Sequence, residues 1–357
     1  MIIMESLRIF VPSRPRACFD NAPMKLQLKP IEEQVAVVMG ASSGIGRATA
    51  LLMAQKGARV VVSARRQEAL DELVQEIERA GGQALAVAAD VTDFDQINGV
   101  ARAAISKWGH IDTWIHTAAA AMYARFEDTS PEEFKRVIEV TQVGAAWGAM
   151  VALPHLKKSH GALIQVSSIE ALVGIPYQAA YGSAKHGMKA YLDVLRIELH
   201  HDQIPVSVTN IMPSGINTPF FTNARTKIGV KPVAVPPMYQ PEIVAKAIAT
   251  AAVKPIPEII IGGGGVMFAL LKRLSPHFVD LTLRKTSFSM QKTDEPKSSA
   301  APDNLFSSDT GDTRVQGDFS GARGTSLGTW LECHPSLRTA LGWGAALGAL
   351  ALVLRKK

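Results

Sequence analysis

The sequence predicts an α/β fold, a doubly wound sheet of seven parallel strands with helices on both faces. Three observations carry this. Short apolar runs of strand length recur along the chain. Longer stretches with helical periodicity separate them, so strand and helix alternate. A glycine-rich turn, Gly40-Ala41-Ser42-Ser43-Gly44-Ile45-Gly46, joins the first run to the first helix.

Residues 35–39 are apolar throughout, the pattern of a strand buried on both faces. Helical periodicity follows over 45–56 and stops at Gly57. Val60-Val61-Val62 opens the second strand, and a helix over 67–80 closes at Gly81-Gly82. Residues 84–88 form the third strand and 94–108 the third helix. The fourth strand falls at 111–116. Pro131 opens a long helix that reaches 158, with Pro154 near its end. The fifth strand is 163–166, the next helix lies within 177–201, and the sixth strand is 206–211. A helix over 242–253 and a strand at 258–261 complete the series. Crossovers between parallel strands are right-handed, so this order implies a Rossmann-type sheet.

The 357 residues suffice for one large α/β domain with appendages. The formal charge is +6 and no segment is strongly basic, which gives a nucleic-acid role little electrostatic support. Two cysteines, Cys18 and Cys333, lie outside the expected core and point to a reducing, cytoplasmic setting. No His or Cys spacing suits a metal. Residues 1–23 are aperiodic. They read as a disordered leader, with an upstream start before Met24 preferred to an Arg-rich targeting peptide. The catalytic domain is expected over 24–288. Residues 289–328, rich in Ser, Asp, Gly and Pro, read as a flexible linker.

The glycine turn has a direct physical meaning. Main-chain N–H groups at a helix start carry partial positive charge, and glycine lets a pyrophosphate approach them. Gly40, Gly44 and Gly46 supply that turn, and Ser42, Ser43 and Ile45 line it. The second strand ends Ser63-Ala64-Arg65-Arg66, with no acid to accept from a ribose 2′-hydroxyl. Arg65, helped by Arg66, suits a 2′-phosphate instead, so NADP(H) is the expected cofactor. Further along, Ser168 lies thirteen residues before Tyr181, and Tyr181 lies four before Lys185. Tyrosine and lysine therefore share one helical face.

Glycine turn, Ser168, Tyr181 and Lys185, in this order and at these intervals, resemble the short-chain dehydrogenase/reductase family over roughly residues 30–265. The resemblance implies an oxidoreductase that moves a hydride between a nicotinamide and a carbonyl or alcohol. Tyr181 would be the general acid/base and Ser168 would orient the substrate oxygen. Lys185 would lower the tyrosine pKa and bind the nicotinamide ribose. Asp90 and Val91 match the adenine-flanking position, and Ala118 a cofactor-facing backbone. Ile216 and Thr218 fall where the family contacts the carboxamide or phosphate. The resemblance also implies a homo-oligomer.

The chain departs from the family pattern in three places. His116-Thr117-Ala118-Ala119 stands for Asn-Asn-Ala-Gly. Ser214 replaces a glycine after Pro213. Thr141 stands where the family has an asparagine, and is either a support residue holding a water toward Lys185 or a helix-packing residue. Residues 219–240 form the expected lid. Its Phe220, Phe221, Val233, Val235 and Met238 either line a site for a hydrophobic substrate or pack the lid down.

Residues 329–357 end in an uncharged run, 339–354, followed by Arg355-Lys356-Lys357. As a helix the run is about 24 Å long, short of the roughly 30 Å hydrocarbon core. It is a candidate anchor that spans or lies on a membrane, or else a helix docked on the enzyme. Two other readings of the whole chain stay open. One is a catalytically impaired nucleotide-binding regulator. The other is a membrane-tethered scaffold.

Overall fold

Residues 26–307 and 312–340 are described by the computed structural model. The leader 1–23 and most of the apolar run 339–354 lie outside the described residues. Seven parallel strands form one sheet: β1 (Val35–Met39), β2 (Arg59–Ala64), β3 (Gln83–Ala88), β4 (Thr113–His116), β5 (Ala162–Val166), β6 (Ser207–Pro213) and β7 (Glu258–Ile261). Across the sheet they run β7-β6-β5-β4-β1-β2-β3. The order reverses between β1 and β4, which opens a crevice at their carboxyl ends.

Alternation explains why the strands are mostly apolar. Ala36 and Val38 of β1 face α1 (Gly44–Gln55) and α2 (Gln67–Arg79), where Met53 and Leu73 meet them. Val37 and Met39 face the other way, toward Ile97 of α3 (Phe94–Trp108). Both sheet faces are covered, so apolar residues dominate the strands, and polar exceptions such as His116 and Gln165 are buried with them.

The long helix expected over 131–158 is interrupted. The run consists of α4 (Pro131–Ile138), a π-helical turn Glu139–Val143 and α5 (Gly144–Ser159). Ser130 and Glu133 form a capping box at its start. Pro131–Ser159 is long and apolar enough to cross a membrane, but half of its most apolar stretch is buried inside the fold. α6 (Ala179–His201) follows β5 and α7 (Pro241–Ala251) follows β6.

Two long helices have no counterpart in the sequence reading, α8 (Gly263–Leu274) and α9 (Pro276–Met290), nor does the one-turn helix Phe220–Asn223. The glycine run 262–265 disguises the start of α8 as a loop. Val279 and Leu283 of α9 pack with Val173.

The expected linker lies against the core. Lys292–Pro296 pairs antiparallel with Val230–Pro232. Beyond it, Asn304 and Asp312 of the described stretches 297–307 and 312–326 border the crevice before α10 (Leu327–Glu332). Leu305 is fully buried there. Periodicity gives no sign of these stretches, because they are held mainly by backbone groups bonded to core residues.

Candidate active site

One cavity of about 570 Å³ opens at the carboxyl ends of the strands. Gly40, Ser42, Ser43, Gly44, Ile45 and Gly46 line one end; Ser168, Tyr181 and Lys185 line the other. Arg65, Arg66, Asp90, Val91, Ala118, Ile216 and Thr218 also border it. Of the residues singled out from the sequence for catalysis or cofactor, Thr141 does not; of the expected lid, Phe220, Phe221 and Val235 border the cavity and Val233 and Met238 do not.

The glycine turn is too tight for side chains. A Cβ on Gly46 would sit 2.1 Å from the Gly40 carbonyl oxygen, and Gly40 itself has φ +83°. The first turn of α1 carries no acidic residue, and the Ser43 hydroxyl makes no capping bond. A backbone cradle at an uncapped helix start suits a dinucleotide pyrophosphate. Thr117 rebuilds the brace that the altered 116–119 stretch lacks. Its N–H and hydroxyl both donate to the Met39 carbonyl, at 2.9 and 2.8 Å.

Arg65 directly follows β2, and its Nη2 donates to the Asn304 carbonyl at 3.0 Å. Asp90 accepts from the Thr92 N–H and hydroxyl at 2.8 and 2.7 Å and from Arg136 at 3.4 Å. Burial pushes its carboxyl up, but the Thr92 donors and the two arginines outweigh that and hold it below the usual range.

Ser168 lies just past β5 and caps a short turn, accepting the Glu170 N–H on its hydroxyl at 3.1 Å. Tyr181 and Lys185 stand on the first turns of α6, both buried. The lysine Nζ lies 5.3 Å from the tyrosine ring centre and donates to the Val166 carbonyl at 2.9 Å. Burial lowers the Lys185 pKa to about 7, against the opposing pull of Glu170. Burial, then Glu170, raise the Tyr181 pKa, while the Ser168 hydroxyl works against them. In the protein alone, burial and Glu170 favour the neutral phenol.

Thr141 sits in the π-helical turn with its hydroxyl committed. It accepts from the Ala120 N–H and donates to the Ala120 carbonyl, each at 3.0 Å. It therefore braces the loop after β4 rather than offering its proton toward Lys185. His116 replaces the family asparagine inside the core, and burial lowers its pKa to about 3.

Three site features escaped the sequence reading. Glu170 and Tyr123 line the substrate end of the cavity. The stretches 297–307 and 312–326 also take up cofactor-side groups. The Gly44 N–H donates to the Arg314 carbonyl at 2.9 Å, and Asn304 and Asp312 form part of the cavity wall. Glu170 had a signal, as the sole acid between β5 and α6, two residues after the serine. The two stretches had none.

This fold and this crevice define a Rossmann-type nucleotide-binding protein. The short chain dehydrogenase family model matches residues 34–229, and the chain belongs to the short-chain dehydrogenase/reductase family, whose fold uses a nicotinamide cofactor. It is 37% identical over 290 residues to the Bacillus subtilis oxidoreductase YxnA, covering 80% of this chain and 82% of that one. The Pestalotiopsis fici trihydroxynaphthalene reductase PfmaI is 31% identical over 201 residues, 56% of this chain and 70% of its own. A solved alcohol dehydrogenase from the archaeon Thermococcus sibiricus, complexed with 5-hydroxy-NADP, shares the fold. Its TM-score is 0.57 at 24% identity, over 64% of this chain and 95% of the other. The protein is an oxidoreductase of this family.

Proposed function

We propose that the chain is an NADP(H)-dependent carbonyl reductase, reversible as an alcohol dehydrogenase. One observation carries this reading. The glycine cradle, Arg65 and the Ser168–Tyr181–Lys185 group border a single cavity.

The cradle at Gly40–Gly46 would hold the pyrophosphate, Asp90 and Val91 the adenine, and Arg65 with Arg66 the 2′-phosphate. Ile216, Thr218 and Lys185 would hold the nicotinamide half. When bound, the cofactor supplies the hydride. Ser168 then donates to the substrate oxygen and holds it beside the phenol. Tyr181 gives its proton to that oxygen as negative charge develops there. Its raised pKa keeps the proton on the phenol until that point. Lys185, with a pKa of about 7, accepts or returns a proton near neutrality and re-protonates the phenol after each turnover.

The substrate body is hydrophobic, in keeping with Ile175, Phe220, Phe221 and Met267 on the cavity wall. A nucleotide-binding regulator is the second reading, favoured by the commitment of the Thr141 hydroxyl to Ala120. NADPH oxidation against a panel of aldehydes, ketones and sterols separates the two. The enzyme reading expects turnover of at least one class, and binding without turnover across the panel refutes it. A cytoplasmic homo-oligomer is proposed on the family resemblance, with exposed Met150, Val194 and Ile197 on α5 and α6 as its apolar face. Light scattering tests this, and a monomer contradicts it. Fractionation of the full chain tests the anchor proposed for 339–354.

A further inference from the structure

The structure also bears on which carbonyl compound the site takes, an inference that rests on the reductase reading above. Glu170 is only 4% exposed, and its Oε2 is buried without a hydrogen-bond partner. A desolvated, unpaired carboxyl oxygen is destabilising, and an apolar residue of similar size would remove that cost. The fold nevertheless positions it closely. Its N–H bonds Ser168, and a side chain on Gly182 would come within 3.6 Å of Oε2. The carboxyl therefore lies over the first turn of α6, beside Tyr181.

Among the described residues no neighbour bonds Oε2. The Lys185 amine, which faces it electrostatically, donates instead to Val166. Tyr123 and Tyr181 lie within its field without bonding it. Burial drives the carboxyl well above its ordinary range, with Lys185 opposing. A neutral carboxylic acid offers one donor and free acceptor capacity. The cavity that it lines also has apolar walls from Ile169, Ile175, Phe220, Phe221 and Val235.

We propose that Glu170 is a specificity residue that pairs with a hydroxyl carried beside the reacting carbon of an otherwise apolar substrate. The preferred class is then a hydroxyketone and the corresponding diol, rather than a simple ketone. A ketone without the hydroxyl leaves the acid unpaired inside the closed site. A site built around a buried polar group discriminates against such an analogue, here by about 10- to 100-fold in kcat/KM.

The test uses the full-length enzyme with NADPH and two ketones of one carbon skeleton, with and without a hydroxyl next to the carbonyl. The wild type should prefer the hydroxyketone by about 10- to 100-fold. Glu170→Leu should bring the ratio near one by raising KM for the hydroxyketone. Glu170→Gln, which keeps a donor and an acceptor, should retain most of the preference. Equal use of the two ketones by the wild type overturns the proposal, whether or not the leucine variant folds. So does an equal loss on both substrates in Glu170→Gln and Glu170→Leu, the mark of a structural role. Turnover of the plain ketone at parity rejects Glu170 alone. Turnover of neither ketone, nor of any compound in the wider panel, rejects the reductase reading with it.

Discussion

In β1 all five residues are buried, and strands lie hydrogen-bonded on both sides. Between residues 297 and 323, Leu305 is the one buried hydrophobic among the described residues. That stretch is held by scattered polar bonds. Arg65 and Arg136 donate to the Asn304 and Leu305 carbonyls at 3.0 Å each. Asn217 accepts from the Gly317 N–H at 3.1 Å and donates to the Phe319 carbonyl at 3.2 Å. Lys231 pairs with Asp318 at 2.9 Å. The crevice is thus shaped by burial of apolar surface, which no single bond decides. Its cover depends on a few polar contacts, two of them made by residues assigned to the cofactor, Arg65 and Gly44. Crevice and cover should therefore fail differently.

The largest effect belongs to the crevice. Tyr181→Phe removes the proposed proton donor and keeps the fold, so turnover should fall about 10³-fold. The dissociation constant for NADPH, read by fluorescence titration, should move less than about twofold, since the phenol is not what holds the phosphates. A variant of near-normal activity would remove Tyr181 from the chemistry.

Arg65→Ala touches both regions. It deletes the proposed 2′-phosphate partner and the bond to Asn304. The kcat/KM for NADPH should drop by about 10- to 100-fold, with little change for NADH. Equal losses with both cofactors would mean that Arg65 serves the cover and not cofactor choice.

Lys185 sharpens the contrast through pH. Its folded pKa of about 7 lies below the ordinary lysine value of 10.5. Between those values the unfolded chain holds a proton that the folded chain has shed, so this group makes stability rise with pH across that window. Melting curves from pH 7 to pH 10 should show the wild type gaining on Lys185→Met as pH increases. A constant gap would show that the buried amine keeps its ordinary pKa.

Gly317→Val attacks the cover. A Cβ there would lie 2.7 Å from the Thr218 carbonyl oxygen and 2.8 Å from Asn217 Oδ1. The cover should loosen by about 1–3 kcal/mol, seen as faster limited proteolysis between residues 297 and 323. The main melting transition should stay close to that of the wild type, because the sheet's core clusters are untouched. A large fall in that transition would show that cover and sheet unfold together.

The same contrast explains what the chain discloses before folding. The seven strands are legible because both sheet faces are covered, which forces apolar runs between amphipathic helices. The glycine turn and the Ser168, Tyr181 and Lys185 intervals are legible because chemistry fixes their spacing. The cover is not, since a carbonyl of any residue type can accept from Arg65 or Gly44. Helix α8 is hidden by the glycines that start it. The electrostatics of Tyr181 could not be read either. They depend on burial and on Glu170, whose side chain the topology folds over Gly182. Thr141 likewise shows its role only once Ala120 is placed beside it.

The central claim is that Tyr181 and its neighbours carry hydride chemistry at a nicotinamide, and isotope transfer tests it most directly. The wild type, given NADPH deuterated at the nicotinamide C4 and a hydroxyketone, should place one deuterium on the carbinol carbon of the product, as read by mass spectrometry. Tight NADPH binding with no deuterium transferred to any carbonyl compound in the panel would contradict the account and leave a nucleotide-binding protein without the reaction.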